Sequence, residues 1–136
     1  MKVFISYAQK DEALASKVVA SLEEAGLDAW YSKREIMPGD NWADKISAGL
    51  KESDAMVVLL TRSSLDSNSV TWEIDYALSQ KPFKRRLIPV FVGNADDFPV
   101  DRIPWIFSHL QTFKLSENGK NDEQLKQIAQ VLKDAA

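Results

Sequence analysis

Ala55-Met56-Val57-Val58-Leu59-Leu60-Thr61, followed after a short polar link by Ser67-Asn68-Ser69-Val70-Thr71-Trp72-Glu73-Ile74-Asp75-Tyr76-Ala77-Leu78, decides the fold. The first run is apolar almost throughout and reads as a buried strand. In the second, Val70, Ile74, Ala77 and Leu78 fall on one face at three- and four-residue spacing, so a helix opens just beyond the strand's carboxyl end. Asn68 or Ser69 is expected to cap its first free amides. Open α/β sheets bind their ligands at such strand ends. Glu73 is expected off the buried face, in or next to the first turn, where the helix dipole (~0.3–1 kcal/mol) would help hold its carboxylate ionised.

Working outward, Lys2-Val3-Phe4-Ile5-Ser6 reads as a first strand, followed by a polar loop over 7–11. Leu14, Val18, Leu22 and Ala25 stripe a helix that Gly26 stops. A second strand is expected over 27–31. The loop 32–41 that follows is about twice as long as the usual α/β connection of 2–6 residues, and excess loop at a sheet's carboxyl edge usually has a function. Trp42, Ile46 and Leu50 mark the next helix, capped by Asp40 or Asn41. Leu87-Ile88-Pro89-Val90-Phe91-Val92 reads as a fourth strand with local irregularity at Pro89, which cannot donate to a ladder. An irregular or briefly helical passage over 96–107, a fifth strand over 109–115 and a closing helix marked by Leu125, Ile128, Ala129 and Leu132 complete the chain.

Strands alternating with helices require a parallel sheet with right-handed crossovers. The expected architecture is α/β, a flavodoxin-like five-stranded parallel sheet of order 2-1-3-4-5 with helices on both faces, in a single domain over 1–136. Its switch point lies between the first and third strands. The crevice there would be lined by residues 7–11, residues 61–64 and the Glu73 helix, with the long loop at its rim.

Composition closes several routes. The 136 residues contain no cysteine and one histidine, His109, which excludes thiolate chemistry and makes a metal centre or a Ser-His-Asp triad a poor reading. No metal and no cofactor are expected. A net charge of -3 gives no footprint for nucleic acid or an anionic membrane, and the basic cluster Lys81 with Lys84-Arg85-Arg86 reads as a solvated turn. Nothing approaches a membrane span, and a cytoplasmic location is expected. The five glycines supply neither a dinucleotide fingerprint nor a phosphate-cradling loop. The strand ends Ser6-Tyr7 and Thr61-Arg62 lack the acidic cluster of a phosphate-accepting receiver.

Four segments in order carry a family likeness: Val3-Phe4-Ile5-Ser6-Tyr7, Ile36-Met37-Pro38-Gly39-Asp40-Asn41-Trp42, Glu52-Ser53-Asp54 leading into the third strand, and Leu87-Ile88-Pro89-Val90. Together they resemble a TIR (Toll/interleukin-1 receptor) domain of the bacterial type over nearly the whole chain. The resemblance implies that Glu73 is the glutamate with which catalytic members cleave NAD+ at the nicotinamide-ribose bond, so that NAD+ is a substrate rather than a cofactor. It also implies substrate contacts at Tyr7 and Ala8. Trp42 reads first as an anchor of its helix to the sheet and second as a stacking partner for nicotinamide. Arg62, with Lys10, Lys33 and Arg34, supplies candidate cations for the pyrophosphate. Where the family often has Trp four residues before the glutamate, this chain has Ser69, with Trp72 adjacent to the glutamate instead. Ile36, Met37, Pro38 and Gly39 would form an assembly loop, projecting an apolar tip through which copies, or other TIR domains, associate.

Three functions fit these features. The first is an NAD+ glycohydrolase or cyclase giving ADP-ribose or a cyclic isomer, in signalling or bacterial defence. The second is a non-catalytic TIR–TIR interaction module. The third is a hydrolase or transferase acting on the N-glycosidic bond of another nucleoside or nucleotide.

Overall fold

Five parallel strands pair in the order β2-β1-β3-β4-β5, with β1 at Lys2–Ser6, β2 at Asp28–Trp30, β3 at Ala55–Leu60, β4 at Leu87–Val92 and β5 at Phe113–Leu115. The computed structural model describes residues 1–79, 86–93, 98, 100–103, 105–116 and 121–135. Lys81, Lys84 and Arg85 of the basic cluster, and residues 96, 97, 99 and 104 of the passage 96–107, lie outside the described residues; the rest of that passage is briefly helical, with 3-10 turns at Val100–Arg102 and Trp105–His109. The helices are α1 (Glu12–Glu24), the single turn α2 (Ser32–Glu35), α3 (Trp42–Glu52), α4 (Arg62–Leu65), α5 (Asn68–Ser79) and α6 (Asp122–Ala135).

Alternation along the strands sorts the core into two layers. Val3, Ile5, Val57, Leu59, Val90 and Val92 meet α1 and α6, whereas Phe4, Met56, Val58 and Leu60 meet α3 and α5. Ser6 has the parity of Phe4, so the last residue of β1 also faces the α3 and α5 layer.

Pro89 sits in β4 without breaking it. It pairs with Val58 on one side, and the ladder to β5 begins at Val90, one residue beyond the missing donor. The fifth strand is shorter than the sequence suggested. Residues Trp105–His109 form a 3-10 turn, and only Phe113–Leu115 pairs with β4. His109 is exposed, its ring set edge-on to Trp105 at 5.6 Å.

Trp42 does not anchor its helix, because it is 56% exposed. Each step of four residues rotates a helical stripe by about 40°, which carries Trp42 out of line with buried Ile46 and Leu50. Trp30 fills the space beneath α3 instead, stacked on Phe4 with centroids 4.8 Å apart. Gly49 permits that approach, since a Cβ there would stand 2.5 Å from Trp30 Cε2.

Candidate functional site

Glu73 is buried, 5% exposed, in the second turn of α5. The sequence reading placed it off the buried face, in or near the first turn. In fact Val70, Glu73, Ile74 and Ala77 together form the face that α5 turns inward. The helix cap also differs. Ser67 Oγ accepts from the Val70 amide at 3.2 Å, which leaves Ser69 for another task.

That task is the glutamate. Ser6 Oγ, at the end of β1, donates to Glu73 Oε1 at 2.6 Å. Ser69 Oγ, one turn earlier on α5, donates to Oε2 at 2.9 Å. Burial pushes the Glu73 carboxyl up to about 7, and the two serine hydroxyls oppose that rise without cancelling it. The expectation of a dipole-held anion therefore fails: removal from water outweighs any dipole effect of a few tenths to one kcal/mol. Near neutral pH the group is divided between acid and carboxylate.

The segments leaving β1 and β3 are tied together. Thr61 Oγ1 donates to Asp11 Oδ2 at 2.6 Å, and Thr61 and Ser64 cap α4 reciprocally, the Ser64 amide donating to Thr61 Oγ1 at 3.0 Å and the Thr61 amide to Ser64 Oγ at 2.7 Å. Of the segments expected to line a crevice, 7–11 and 61–64, Asp11 and Thr61 are thus joined directly, whereas Tyr7 turns away. Ala8 lies buried in the first segment, and Arg62 is exposed at the start of α4.

Tyr7 is brought to the rim loop rather than to Glu73. Its ring packs with the α1 layer, and its hydroxyl accepts from Ser32 Oγ at 2.9 Å and from the Lys33 amide at 3.1 Å. Burial raises the Tyr7 phenol above its ordinary value, partly offset by these two bonds. Arg34 is engaged too, hydrogen-bonded to Glu23 and the Ala29 carbonyl and set over the Tyr31 ring. Trp72 is 46% exposed, its ring tilted against Tyr76 on the outer side of α5.

The loop 32–41 splits into two parts. Ile36, expected at an exposed tip, is half-buried and packs against the α3 and α5 layer. Met37 is 62% exposed and opens a tight turn in which its amide donates to Asp40 Oδ2 at 2.9 Å. Pro38 and Gly39 are exposed, and Gly39 adopts φ +92°, where a side chain would be strained. Asn41 caps α3 through the Asp44 amide at 3.2 Å.

Sequence reasoning missed Ser6 and Ser69 as partners of Glu73. Strand parity could have found the first and i, i+4 spacing the second. A broad groove between α1 and α6, lined by Leu14, Lys17, Leu125 and Lys126, lies on the opposite face of the sheet. Among the described residues no three His, Cys, Asp or Glu side chains gather as a metal site, and no helix is long and apolar enough to cross a membrane.

A parallel α/β sheet of this order is the doubly wound class, in which ligands bind at the carboxyl ends of the strands beside the switch point, and here a buried carboxylate lies there. The sequence pattern of the TIR domain matches residues 3–132, and the chain belongs to that family. It is similar to the 2' cyclic ADP-D-ribose synthase AbTIR of Acinetobacter baumannii (strain 1295743), 25% identical over 87 residues that cover 63% of this chain and 32% of that protein. It is also similar to the NAD(+) hydrolase TcpC of Escherichia coli O6:H1, 23% identical over 91 residues, 65% of this chain and 30% of that one. Each match spans about a third of the relative's length. Among solved structures, a metazoan TIR-STING receptor from C. gigas superposes with a TM-score of 0.73 at 24% identity, covering 93% of this chain and 38% of that one. At that identity the likeness speaks for the fold.

Proposed function

We propose that this chain is an NAD+ nucleosidase that cleaves the nicotinamide-ribose bond with Glu73 as its catalytic residue. The observation that carries this reading is a buried carboxylate at the switch point whose two partners are neutral hydroxyls. Such a group offers negative charge to a cation supplied by the substrate. NAD+ brings one, and relatives named as an NAD(+) hydrolase and a cyclic ADP-ribose synthase support the choice.

The chemistry suits a single carboxylate. The bond between the ribose C1' and the pyridinium nitrogen breaks with its electron pair moving to nitrogen, so nicotinamide leaves neutral and no acid has to protonate it. Glycosidases acting on ordinary sugars need a second carboxyl for that proton. Positive charge shifts onto the sugar, where an ionised Glu73 stabilises it. Preorganised contacts of this kind contribute ~2.7–4 kcal/mol, about a hundred- to a thousandfold in rate. Water then adds to C1' and releases one proton, giving ADP-ribose, or a nucleophile of the same molecule closes a ring. A carboxylate titrating at about 7 is matched to receive that proton at neutral pH.

The test is to incubate concentrated protein with NAD+, with and without EDTA, and to separate the nucleotides. Nicotinamide and ADP-ribose, or a cyclic isomer, should form in equal amounts, and Glu73→Gln should lower turnover about a hundredfold or more. Unchanged turnover in a folded Glu73→Gln protein would overturn the assignment. Cleavage of other nucleosides in a panel, with NAD+ left intact, would favour the N-glycosidase reading.

A further inference from the structure

We propose that Ser6 and Ser69 are positioning residues for Glu73, each hydroxyl holding one carboxylate oxygen, and that Ser69 marks the side on which the glutamate exchanges its proton. The inference rests on the reading of Glu73 as the catalytic carboxylate. It concerns how the chain keeps a buried acid usable.

The two hydroxyls come from different elements. Ser6 ends β1 and is fully buried, and its hydroxyl meets Oε1 at 2.6 Å. Ser69 is only partly buried near the start of α5 and meets Oε2 at 2.9 Å. Because the oxygens are held from two directions, the carboxylate plane is fixed about its last torsion. Both bonds as arranged suit the anion, which only accepts.

The acid form breaks this symmetry. A protonated Glu73 must donate to one of the two serine oxygens, and that serine then needs another acceptor for its own proton. Ser6, at 0% exposure, has no water to turn to. Ser69, at the helix surface, can turn its hydroxyl outward. Protonation therefore falls on Oε2, and Ser69 is the step between that oxygen and solvent.

The elements packed against Glu73 leave burial and the two serines to set its titration. β3 presents only Ala55-Met56-Val57-Val58-Leu59-Leu60, with no titratable group. Beyond the end of β1, Tyr7 sends its ring to the other layer and Asp11 is bonded to the Thr61 hydroxyl; α4 carries Arg62, and α5 itself carries Asp75 and Tyr76. None of these is a cause of the glutamate's shift, which is set by burial and opposed by Ser6 and Ser69.

Two readouts test the proposal. In protein carrying 13C-labelled glutamate, the Glu73 carboxyl carbon is titrated by NMR, with its signal assigned by loss in Glu73→Gln. In parallel, the acid limb of the kcat/KM profile for NAD+ is measured. Ser69→Ala should move both upward by about one pH unit, a roughly tenfold loss of activity below the limb, and Ser69→Thr should restore them. Ser6→Ala should move the titration in the same direction and also lower kcat at high pH, where only orientation is lost. A Ser69→Ala protein whose carboxyl titrates as in the wild type overturns the proposal. A shifted titration in a protein that leaves NAD+ untouched keeps the serine roles and sinks the nucleosidase reading instead.

Discussion

The Thr61 hydroxyl donates to the Asp11 carboxylate at 2.6 Å, which fastens the segment leaving β3 to the segment leaving β1 across the switch point of the sheet. The same Thr61 oxygen accepts the Ser64 amide at 3.0 Å and so starts α4. One side chain thus ties the two segments together and starts the helix that follows β3.

Thr61→Val should therefore remove both a cap and a charge-assisted bond. Caps contribute ~1 kcal/mol and bonds to charged groups ~1.5–3 kcal/mol. The expected outcome is a loss of about 2 kcal/mol or more in urea unfolding, with the slope unchanged, and a raised KM for NAD+. Thr61→Ser should restore both. Thr61→Val with wild-type stability and KM would show that the link does not hold the crevice.

Glu73 should destabilise the fold it serves at neutral pH. Its carboxyl titrates at about 7 in the fold against an ordinary 4.5. Between those values the folded state binds the extra proton, so stability is fully present below about 4.5 and is lost as pH rises through 7. The loss amounts to about 3 kcal/mol. Glu73→Gln carries no charge at any pH. It should melt higher than the wild type at pH 8 and close to it at pH 4.5, and thermal unfolding at both values checks the sign. A mutant with lower stability at pH 8 would mean that the ionised carboxylate supports the fold.

Much of this site can be read in the sequence once its rules are applied without regard to residue class. The apolar runs of β1 and β4 have the limits the sequence gives them, because buried parallel strands are apolar on both faces. The apolar stripe of α5 taken alone leaves Glu73 out, because a charged residue does not count toward it. Its spacing from Val70 and Ala77 is that of a core position. What local pattern does not show is the partner. Ser6 and Glu73 are 67 residues apart in sequence, and only the sheet order brings the end of β1 under α5. Trp42 misled in the opposite sense: it has stripe spacing, yet Trp30 from β2 takes the volume beneath α3.

That volume has no slack. A Cβ on Gly49 would stand 2.5 to 2.9 Å from three atoms of the Trp30 indole, whose stacking on Phe4 fixes it in turn. Gly49→Ala should lower stability by about 1–3 kcal/mol, the range for overpacking a filled core. The helix preference of alanine, worth up to ~1 kcal/mol, offsets part of that. Unfolding followed by tryptophan fluorescence measures the net effect. A stabilised variant would show that α3 can shift away from the sheet at little cost.

The rim loop separates folding from assembly, and two neighbouring residues distinguish them. Ile36 is half-buried against the α3 and α5 layer, whereas Met37 is 62% exposed at the mouth of the Gly39 turn. Trp42, 56% exposed just beyond that turn, extends the apolar surface. An exposed methionine and tryptophan flanking a rigid turn favour a contact surface, and self-association through loop 32–41 is the use proposed for it. Ile36→Asp should then lower stability, since it forces a charge against the core. Met37→Asp should leave stability within about 0.5 kcal/mol, as for other surface changes, but lower turnover per molecule at high protein concentration. Wild-type turnover per molecule should rise with concentration as light scattering reports larger species, and Met37→Asp should flatten both curves. If wild-type turnover is the same from dilute monomer to concentrated sample, a single copy completes the site and the loop serves some other contact.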